Sequence, residues 1–404
     1  MIDAENYLRE KFLKFYSRNK VEWPSSIDQR EFGFGSFKKK IVSRHSSFNS
    51  LQEFNSFLRQ EAPLFVSYST AYYEKPSLQP MEKKGFQGAD IIYEFDADDI
   101  QTSCKQKHDS WQCTNPECNA KGIGRVEKCS ACGSAVRLDE WVCPECLDEV
   151  KKQAMKLIDL IKQDFSFKEG IKINFSGSKG FHIHIISDEV KKLSNQARIE
   201  LVDYISLQGI DFNALGYSFD NGKFYCPVKE LGISKKLNDF LRNVISGYSA
   251  EKLAAITGSR VKECTEFLSQ KKAILDSMNK GTLYPLPGRK TEKFWNRLLD
   301  YAVESEALKI DRQTSVDLSK IIRVPGTLHG DTGLKAALVK DLASFNALQD
   351  SVVFSAEKER VFVSFAPKFY LNGVEFGPFN EEEALLPEFA AVYLIAKGKA
   401  KPVK

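Results

Sequence analysis

A mixed α/β (α+β) fold carrying two insertions is predicted, on three observations. Short runs with a two-residue apolar period, at 89–98 and 181–186, alternate along the chain with longer stripes at helical spacing. Seven of the nine cysteines crowd between Cys104 and Cys146, most of them in pairs spaced like zinc ligands. From about 209 to 285 the pattern turns helical, around 229–244, 250–256 and 261–278, and carries no evident chemistry. The expected organisation is a discontinuous core over 1–404, a zinc-binding insertion at 101–147 and a helical insertion at 209–285. A chain of 404 residues with 42% hydrophobic content can bury one large core plus smaller modules.

The first element is a helix over 7–16, with Leu8, Phe12 and Phe15 at helical spacing. A strand follows over 89–98, where Ile91, Tyr93 and Phe95 alternate with Ile92, Glu94, Asp96 and Asp98. One face of that strand ends in acids, with Asp96 and Asp98 pointing the same way and Cα atoms roughly 6.5–7 Å apart. Two carboxylates so placed would repel each other unless a cation lies between them. Mg²⁺ suits the arrangement, since it takes oxygen ligands and is commonly held by one or two carboxylates plus substrate phosphates. The plainer alternative is a solvated acidic turn closing the strand.

After the cysteine-rich stretch, Leu147, Val150, Ala154, Leu157, Ile158 and Ile161 mark a helix leading to two strands, 171–175 and 181–186. These strands are joined by Ser176-Gly177-Ser178-Lys179-Gly180, a connection whose glycines permit close backbone approach to a ligand. Backbone N–H groups, a hydroxyl, Lys179 and His182 could together receive a triphosphate; an ordinary hairpin is the alternative. His184 shares a face with His182 and is the better candidate for a hydrogen-bonded core residue. A further helix is expected over 198–207, and a return to the main core from 293 to 303.

Next come Asp311 and an apolar strand bearing Arg323, which runs into a Pro325-Gly326 turn exposing His329. A permanently charged Arg323 suits phosphate, and His329 can donate a hydrogen bond at neutral pH. A structural Asp311–Arg323 ion pair is the competing possibility. Strand alternation over 352–379 and an apolar helix over 387–396 complete the core, leaving 397–404 as a loose basic end.

Taken in order, these stretches resemble the small catalytic subunit of archaeal and eukaryotic DNA primase. The resemblance starts at Arg30-Glu31-Phe32-Gly33-Phe34 and continues through Phe95-Asp96-Ala97-Asp98, Ser176-Gly177 and Gly180-Phe181-His182. It ends at Ile322-Arg323-Val324-Pro325-Gly326-Thr327-Leu328-His329-Gly330, thus covering most of the chain. It implies a mixed-sheet primase core in which Asp96, Asp98 and Asp311 bind two catalytic Mg²⁺ or Mn²⁺ ions. It also implies that Ser176, Gly177, Lys179, His182, Arg323 and His329 hold the incoming nucleotide. Arg30 and Glu31 are implied to lie near the cleft and to matter for initiation.

The activity implied is DNA-directed nucleotidyl transfer, making short primers on single-stranded template with release of pyrophosphate during replication. A primase large subunit bearing an iron–sulfur domain is the implied partner, with single-stranded DNA, an RNA or DNA primer and nucleoside triphosphates as ligands. Two departures stand out: Ser178 and Asp331 occupy positions where many relatives carry a basic residue. The alternatives are a repair-type primase-polymerase extending DNA primers, and a non-catalytic zinc-ribbon nucleic-acid-binding protein.

The cysteines fall into two ligand sets. Cys113, Cys118, Cys129 and Cys132 read as a zinc ribbon with a glycine-bearing loop at Gly122 and Gly124. Cys104, His108, Cys143 and Cys146 flank it and would hold a second zinc, a grouping that also resembles the zinc knuckle of archaeal primase small subunits. Disulfides compete, but no signal peptide precedes Met1-Ile2-Asp3-Ala4-Glu5. Cys226 and Cys264 are read as ordinary buried thiols.

A net charge of +4 allows nucleic-acid binding through local patches, with Lys38, Lys39, Lys40, Arg44, His45, Lys235 and Lys236 as candidate phosphate contacts or merely solvated surface. No apolar run approaches the ~20 residues of a membrane span, so a soluble intracellular protein is expected, cytoplasmic, or nuclear if eukaryotic, with no membrane partner.

Overall fold

The computed structural model describes residues 3–36, 39–287 and 290–403, and divides into two compact units. The first joins residues 1–200 to 309–404; the second runs over 201–308. The chain is mixed α/β, built of several small sheets and helices. Lys38 and Gly288 lie outside the described residues. Among the described residues no helix is long and apolar enough to cross a membrane.

Two four-stranded antiparallel sheets organise the first unit. One runs Ile321–Arg323, Phe65–Ser69, Phe32–Ser36, Lys39–Ser46; its Phe65–Ser69 strand is buried along its whole length. The other runs Leu338–Val339, Ile171–Phe175, Gly180–Ile185, Ile91–Asp96. In the second sheet Gly180 faces Asp96 and His182 faces Glu94 across the ladder. No larger residue than glycine fits at 180. A Cβ there would stand 2.0 Å from Asp96 Oδ1 and 2.1 Å from the Phe95 carbonyl.

The acidic strand ends sooner than its alternation predicts. Pairing stops at Asp96, and Ala97–Asp99 forms a 3-10 turn. The acids sharing one strand face are therefore Glu94 and Asp96, while Asp98 lies within the turn. Alternation could not reveal this, because Ala97 is small and apolar and continues the two-residue period.

The cysteine-rich insertion is a three-stranded sheet, Lys121–Ile123, Ser110–Cys113, Val136–Asp139, whose small core comprises Trp111, Cys113 and Cys129. Helix Pro144–Asp164 leaves it with proline in its first turn, where a missing N–H costs nothing, and buries Leu147, Val150, Ala154 and Leu157.

At the C-terminus Glu388–Ala396 is helical and every residue in it is buried, as an all-round apolar sequence requires. The segment beyond is not loose. Ala400–Pro402 pairs with Lys358–Ala366, and Lys397 closes the helix with its N–H on the Tyr393 carbonyl. Sheet pairing and the buried helix thus hold this end from both sides.

The second unit packs helices Gly232–Gly247, Ala250–Thr257, Val261–Leu268, Lys271–Asn279 and Thr291–Glu306 around Trp295, Phe267, Leu241 and Leu298. The helix at 291–306, expected to lead back to the main core, instead supplies Phe294, Trp295, Leu298 and Leu299 to this cluster. Cys226 and Cys264 are buried in the same cluster.

Candidate active site

A cavity of about 570 Å³ is lined from both four-stranded sheets of the first unit. Asp96, Ser176, Lys179, His182, Asp311, Arg323 and His329 all border it. Gly177 and Asp98 do not border it: a Cβ on Gly177, which is at φ +83°, would stand 2.9 Å from His329 Cβ, and the Asp98 carboxylate pairs with Lys179.

The turn at 176–180 is held by its own serine. Ser176 Oγ accepts the N–H groups of Ser178 and Gly180 at 3.3 and 3.2 Å, while the Lys179 carbonyl accepts the Ala97 N–H at 3.0 Å. The turn and the acidic strand's end are therefore joined directly. Lys179 Nζ also lies 3.2 Å from Glu140 Oε2.

Asp311 is tied to the acidic strand by its own N–H, which donates to the Glu94 carbonyl at 3.1 Å. Thr314 Oγ1 sits 2.6 Å from Glu94 Oε2 and 2.7 Å from Asp311 Oδ2, and Lys320 Nζ reaches Asp311 Oδ2 at 2.9 Å. The Asp311–Arg323 ion pair is not formed; Lys320 takes that place. Burial raises Glu94, but hydrogen bonds from His182 and Thr314 and the Lys320 charge pull it down to about 2. Burial, and then the Glu94 charge, push Asp96 up to about 6. One carboxylate held ionised beside another that resists ionising is an environment that a cation relieves.

Other lining groups are cationic or donating. Arg323 Nε and Nη1 are buried without a partner, and the guanidinium lies 5.0 Å from the Phe65 ring centre. Burial pushes Arg323 down to about 10, so it stays charged at neutral pH. His329 Nδ1 accepts the Asp331 N–H at 3.2 Å, and burial with neighbouring cations drives its pKa well below the usual range. The ring is neutral, and Nε2–H is left as a donor. His182 Nε2 lies 3.4 Å from Glu94 Oε1, and its Nδ1 is buried and unpartnered. By contrast His184 is a core residue, with Nε2 2.5 Å from Asn174 Oδ1.

Several lining residues escaped sequence reasoning: Glu94, Lys320, Glu140 and Lys397. Glu94 alone left a local signal, being on Asp96's strand face. Arg30 and Glu31 border no part of the cavity. Arg30 is buried against the Ser69 and Thr70 carbonyls, Asp90 and the Tyr72 ring; Glu31 is buried against Arg44 and Lys84. Glu31 reaches the site at one remove, because Arg44 also donates to the Ser319 carbonyl beside Lys320. Of the basic clusters, Lys40 lines the cavity and pairs with Asp331 at 3.2 Å, while Lys235 pairs with Asp239 in the second unit.

The cysteines gather as two sets, Cys104–His108–Cys143–Cys146 and Cys113–Cys118–Cys129–Cys132, with ligand atoms within 4.8 Å of one another. Sulfurs on a tetrahedral zinc with bonds of about 2.3 Å stand about 3.8 Å apart. Here Cys143–Cys146 and Cys118–Cys129 are 3.8 Å apart, Cys113–Cys132 3.5 Å and Cys104–Cys146 3.3 Å. Both donor sets suit zinc. His108 points Nε2 at Cys146 and Nδ1 at Asp109 Oδ1, 3.0 Å away, the carboxylate–histidine arrangement that orients a zinc ligand. Asp109 continues the chain of contacts through Arg125 at 2.6 Å to Glu140 at 2.9 Å, hence to Lys179.

Comparison with known proteins gives the chain its family. A family model described as DNA primase small subunit matches residues 137–340. The chain is 30% identical over 398 residues to DNA primase small subunit PriS of Nitrosopumilus maritimus (strain SCM1), covering 98% of this chain and 97% of that one. It is 29% identical over 398 residues to the PriS of Archaeoglobus fulgidus, with the same coverage, and 30% identical over 428 residues to that of Methanococcoides burtonii, covering 99% of each. With a cavity that gathers the motif residues and likeness running from end to end, the chain belongs to the DNA primase small subunit family.

Proposed function

We propose that this protein is the catalytic subunit of a DNA primase, joining nucleoside triphosphates into short primers on single-stranded DNA. The observation that carries the reading is one cavity bordered by Asp96 and Asp311 on one side and by the unpartnered Arg323 and the donor His329 on the other. Asp96, Asp98 and Asp311 would hold Mg²⁺ or Mn²⁺, and a hard all-oxygen donor set beside a carboxylate raised to about 6 fits such ions. Bound there, the ions would supply neutralising charge for phosphoryl transfer at the α-phosphate.

The chain's own residues do the holding. The Ser176–Gly180 turn, Lys179 and Arg323 receive the triphosphate, and His329 Nε2–H donates to one of its oxygens. His182 steadies Glu94 and so the acidic strand. Two zinc ions in the cysteine sets would keep the insertion folded and, through His108, Asp109, Arg125 and Glu140, fix the approach of Lys179. A large subunit carrying an iron–sulfur domain is the expected partner.

The test is incubation with unprimed single-stranded DNA, Mg²⁺ or Mn²⁺ and labelled nucleotides, alone and with the large subunit. New short chains are expected. Extension of supplied primers only would replace this reading with a primase-polymerase, and binding without synthesis would replace it with a nucleic-acid-binding module.

A further inference from the structure

Among the described residues five lysines and arginines line the cavity: Lys40, Lys179, Lys320, Arg323 and Lys397. Three are already engaged by carboxylates, Lys40 by Asp331, Lys179 by Asp98 and Glu140, and Lys320 by Asp311. Arg323 and Lys397 are not. The only hydrogen bond of Lys397 Nζ among the described residues is a long one, 3.4 Å, to the Glu140 carbonyl. The acids whose charge it feels, Asp331 and Asp139, are paired elsewhere, Asp331 with Lys40 and Asp139 with Lys399 at 2.6 Å.

The ammonium is nonetheless held firmly. Lys397 closes the fully buried Glu388–Ala396 helix, and its Nζ lies 4.8 Å from the Trp141 ring centre and 5.6 Å from that of Tyr393. Aromatic faces fix and partly compensate a cation without neutralising it, so the charge remains available to an anion. Lys397 also lies close enough to His329 and Lys179 to depress the one and be depressed by the other. That puts it beside the groups expected to meet the triphosphate.

We propose that Lys397 is a nucleotide-binding residue that contacts the triphosphate tail, a cation delivered to the cavity by the C-terminal helix. This rests on the cavity being the nucleotide site, as argued above. It gives the triphosphate two cations that need not break an ion pair to bind it, whereas Lys179 and Lys320 must be shared with acids. A hydrogen bond to a charged partner is among the stronger kind, so losing it should weaken nucleotide binding about tenfold or more.

The experiment compares Lys397→Met, which keeps an apolar stem between Trp141 and Tyr393, with Lys397→Arg and the unaltered chain. Two readouts are taken: KM and kcat for nucleotide in primer extension, and equilibrium binding of nucleoside triphosphate and monophosphate in the presence of Mn²⁺. The expected result for Lys397→Met is a KM and a triphosphate dissociation constant each raised about tenfold, with kcat within about twofold, monophosphate binding unmoved, and Lys397→Arg near the unaltered chain. Triphosphate binding unchanged in Lys397→Met overturns the proposal, as does an equal loss for monophosphate and triphosphate, which would mark a packing role. Because binding is read apart from synthesis, an unaltered chain that binds triphosphate through Lys397 yet makes no product overturns the polymerising function alone. An unaltered chain that binds no triphosphate overturns both.

Discussion

The two cysteine sets and the acidic cavity are both ligand-rich, yet they are built in opposite ways. Each cysteine set comes from a short stretch of chain, and its donor atoms already converge within 4.8 Å. The cavity's acids come from distant stretches and are parcelled out among lysines, Asp98 to Lys179 and Asp311 to Lys320, while Asp96 is pushed up to about 6. A structural site gains most when its donors are gathered beforehand, since metal binding is then folding energy. A site that must bind, react and release gains from acids that exchange partners. The difference is between a lock built into the fold and a balance of charges that substrate can tip.

The largest expected effect breaks the structural half. Cys146→Ser should take the bound zinc from two to one per chain by metal analysis and open 101–147 to proteolysis, because structural zinc contributes about 10–16 kcal/mol in small zinc modules. Cys129→Ser should also lose one zinc but leave the Cys104–His108–Cys143–Cys146 set intact, and with it the His108–Asp109–Arg125–Glu140 contacts. If the two variants harm nucleotide KM equally, those contacts do not position Lys179.

Breaking the other half should show the reverse pattern. Asp96→Asn is expected to cut primer synthesis by on the order of a thousandfold or more while leaving the melting temperature unchanged or higher. Removing a charge that burial and Glu94 both oppose relieves the fold rather than harming it. Activity within tenfold of the unaltered chain, measured with Mg²⁺ and Mn²⁺, would move the metal site elsewhere.

A smaller effect concerns the helix that carries Lys397 to the cavity. Glu388 opens it, with Oε1 2.8 Å from Lys11 Nζ and Oε2 accepting the Ser355 N–H at 2.8 Å. Burial raises its pKa, but Lys11 and Ser355 hold it down at about 2. A carboxylate lower in the folded than in the unfolded chain, where it titrates near 4.3, stabilises fully above that value and loses its contribution as pH falls from about 4 to 2. Glu388→Gln should therefore cost on the order of 1–2 kcal/mol at pH 7 and show a shallower loss of stability over that acid range. Parallel stability–pH curves would assign the low pKa to another group.

What was legible follows the same division. Both cysteine-bearing sets could be read from spacing, because residues a few positions apart on one turn or hairpin are local facts. The Ile171–Phe175 and Gly180–Ile185 hairpin and its serine–glycine turn were equally local. The end of the acidic strand was not, since a 3-10 turn at Ala97–Asp99 leaves no trace in a two-residue period. The reach of Lys320 to Asp311, of Glu140 to Lys179 and of Lys397 to Trp141 depends on tertiary packing. An all-round apolar helix tells that it is buried but not where its last residue points. Nor does local sequence show that Arg30 and Glu31, which line no part of the cavity, form a buried network closed by Lys84, Asp90 and Arg44.

The finest test asks whether the balance of charges can be shifted without breaking either half. Asp331 lines the cavity, its backbone N–H fixes the His329 tautomer, and its half-exposed carboxylate ties up Lys40. Asp331→Lys removes one negative charge and adds a positive one while the backbone contact to His329 is kept. It also frees Lys40. Exposed charges in water act weakly, so the apparent KM for nucleotide should fall only about two- to fivefold, with kcat little changed and the gain fading at high salt. Asp331→Asn should give a smaller part of the same shift. An unchanged KM in both would mean that the carboxylate faces away from the phosphates and that nucleotide is gripped from the Arg323 side alone.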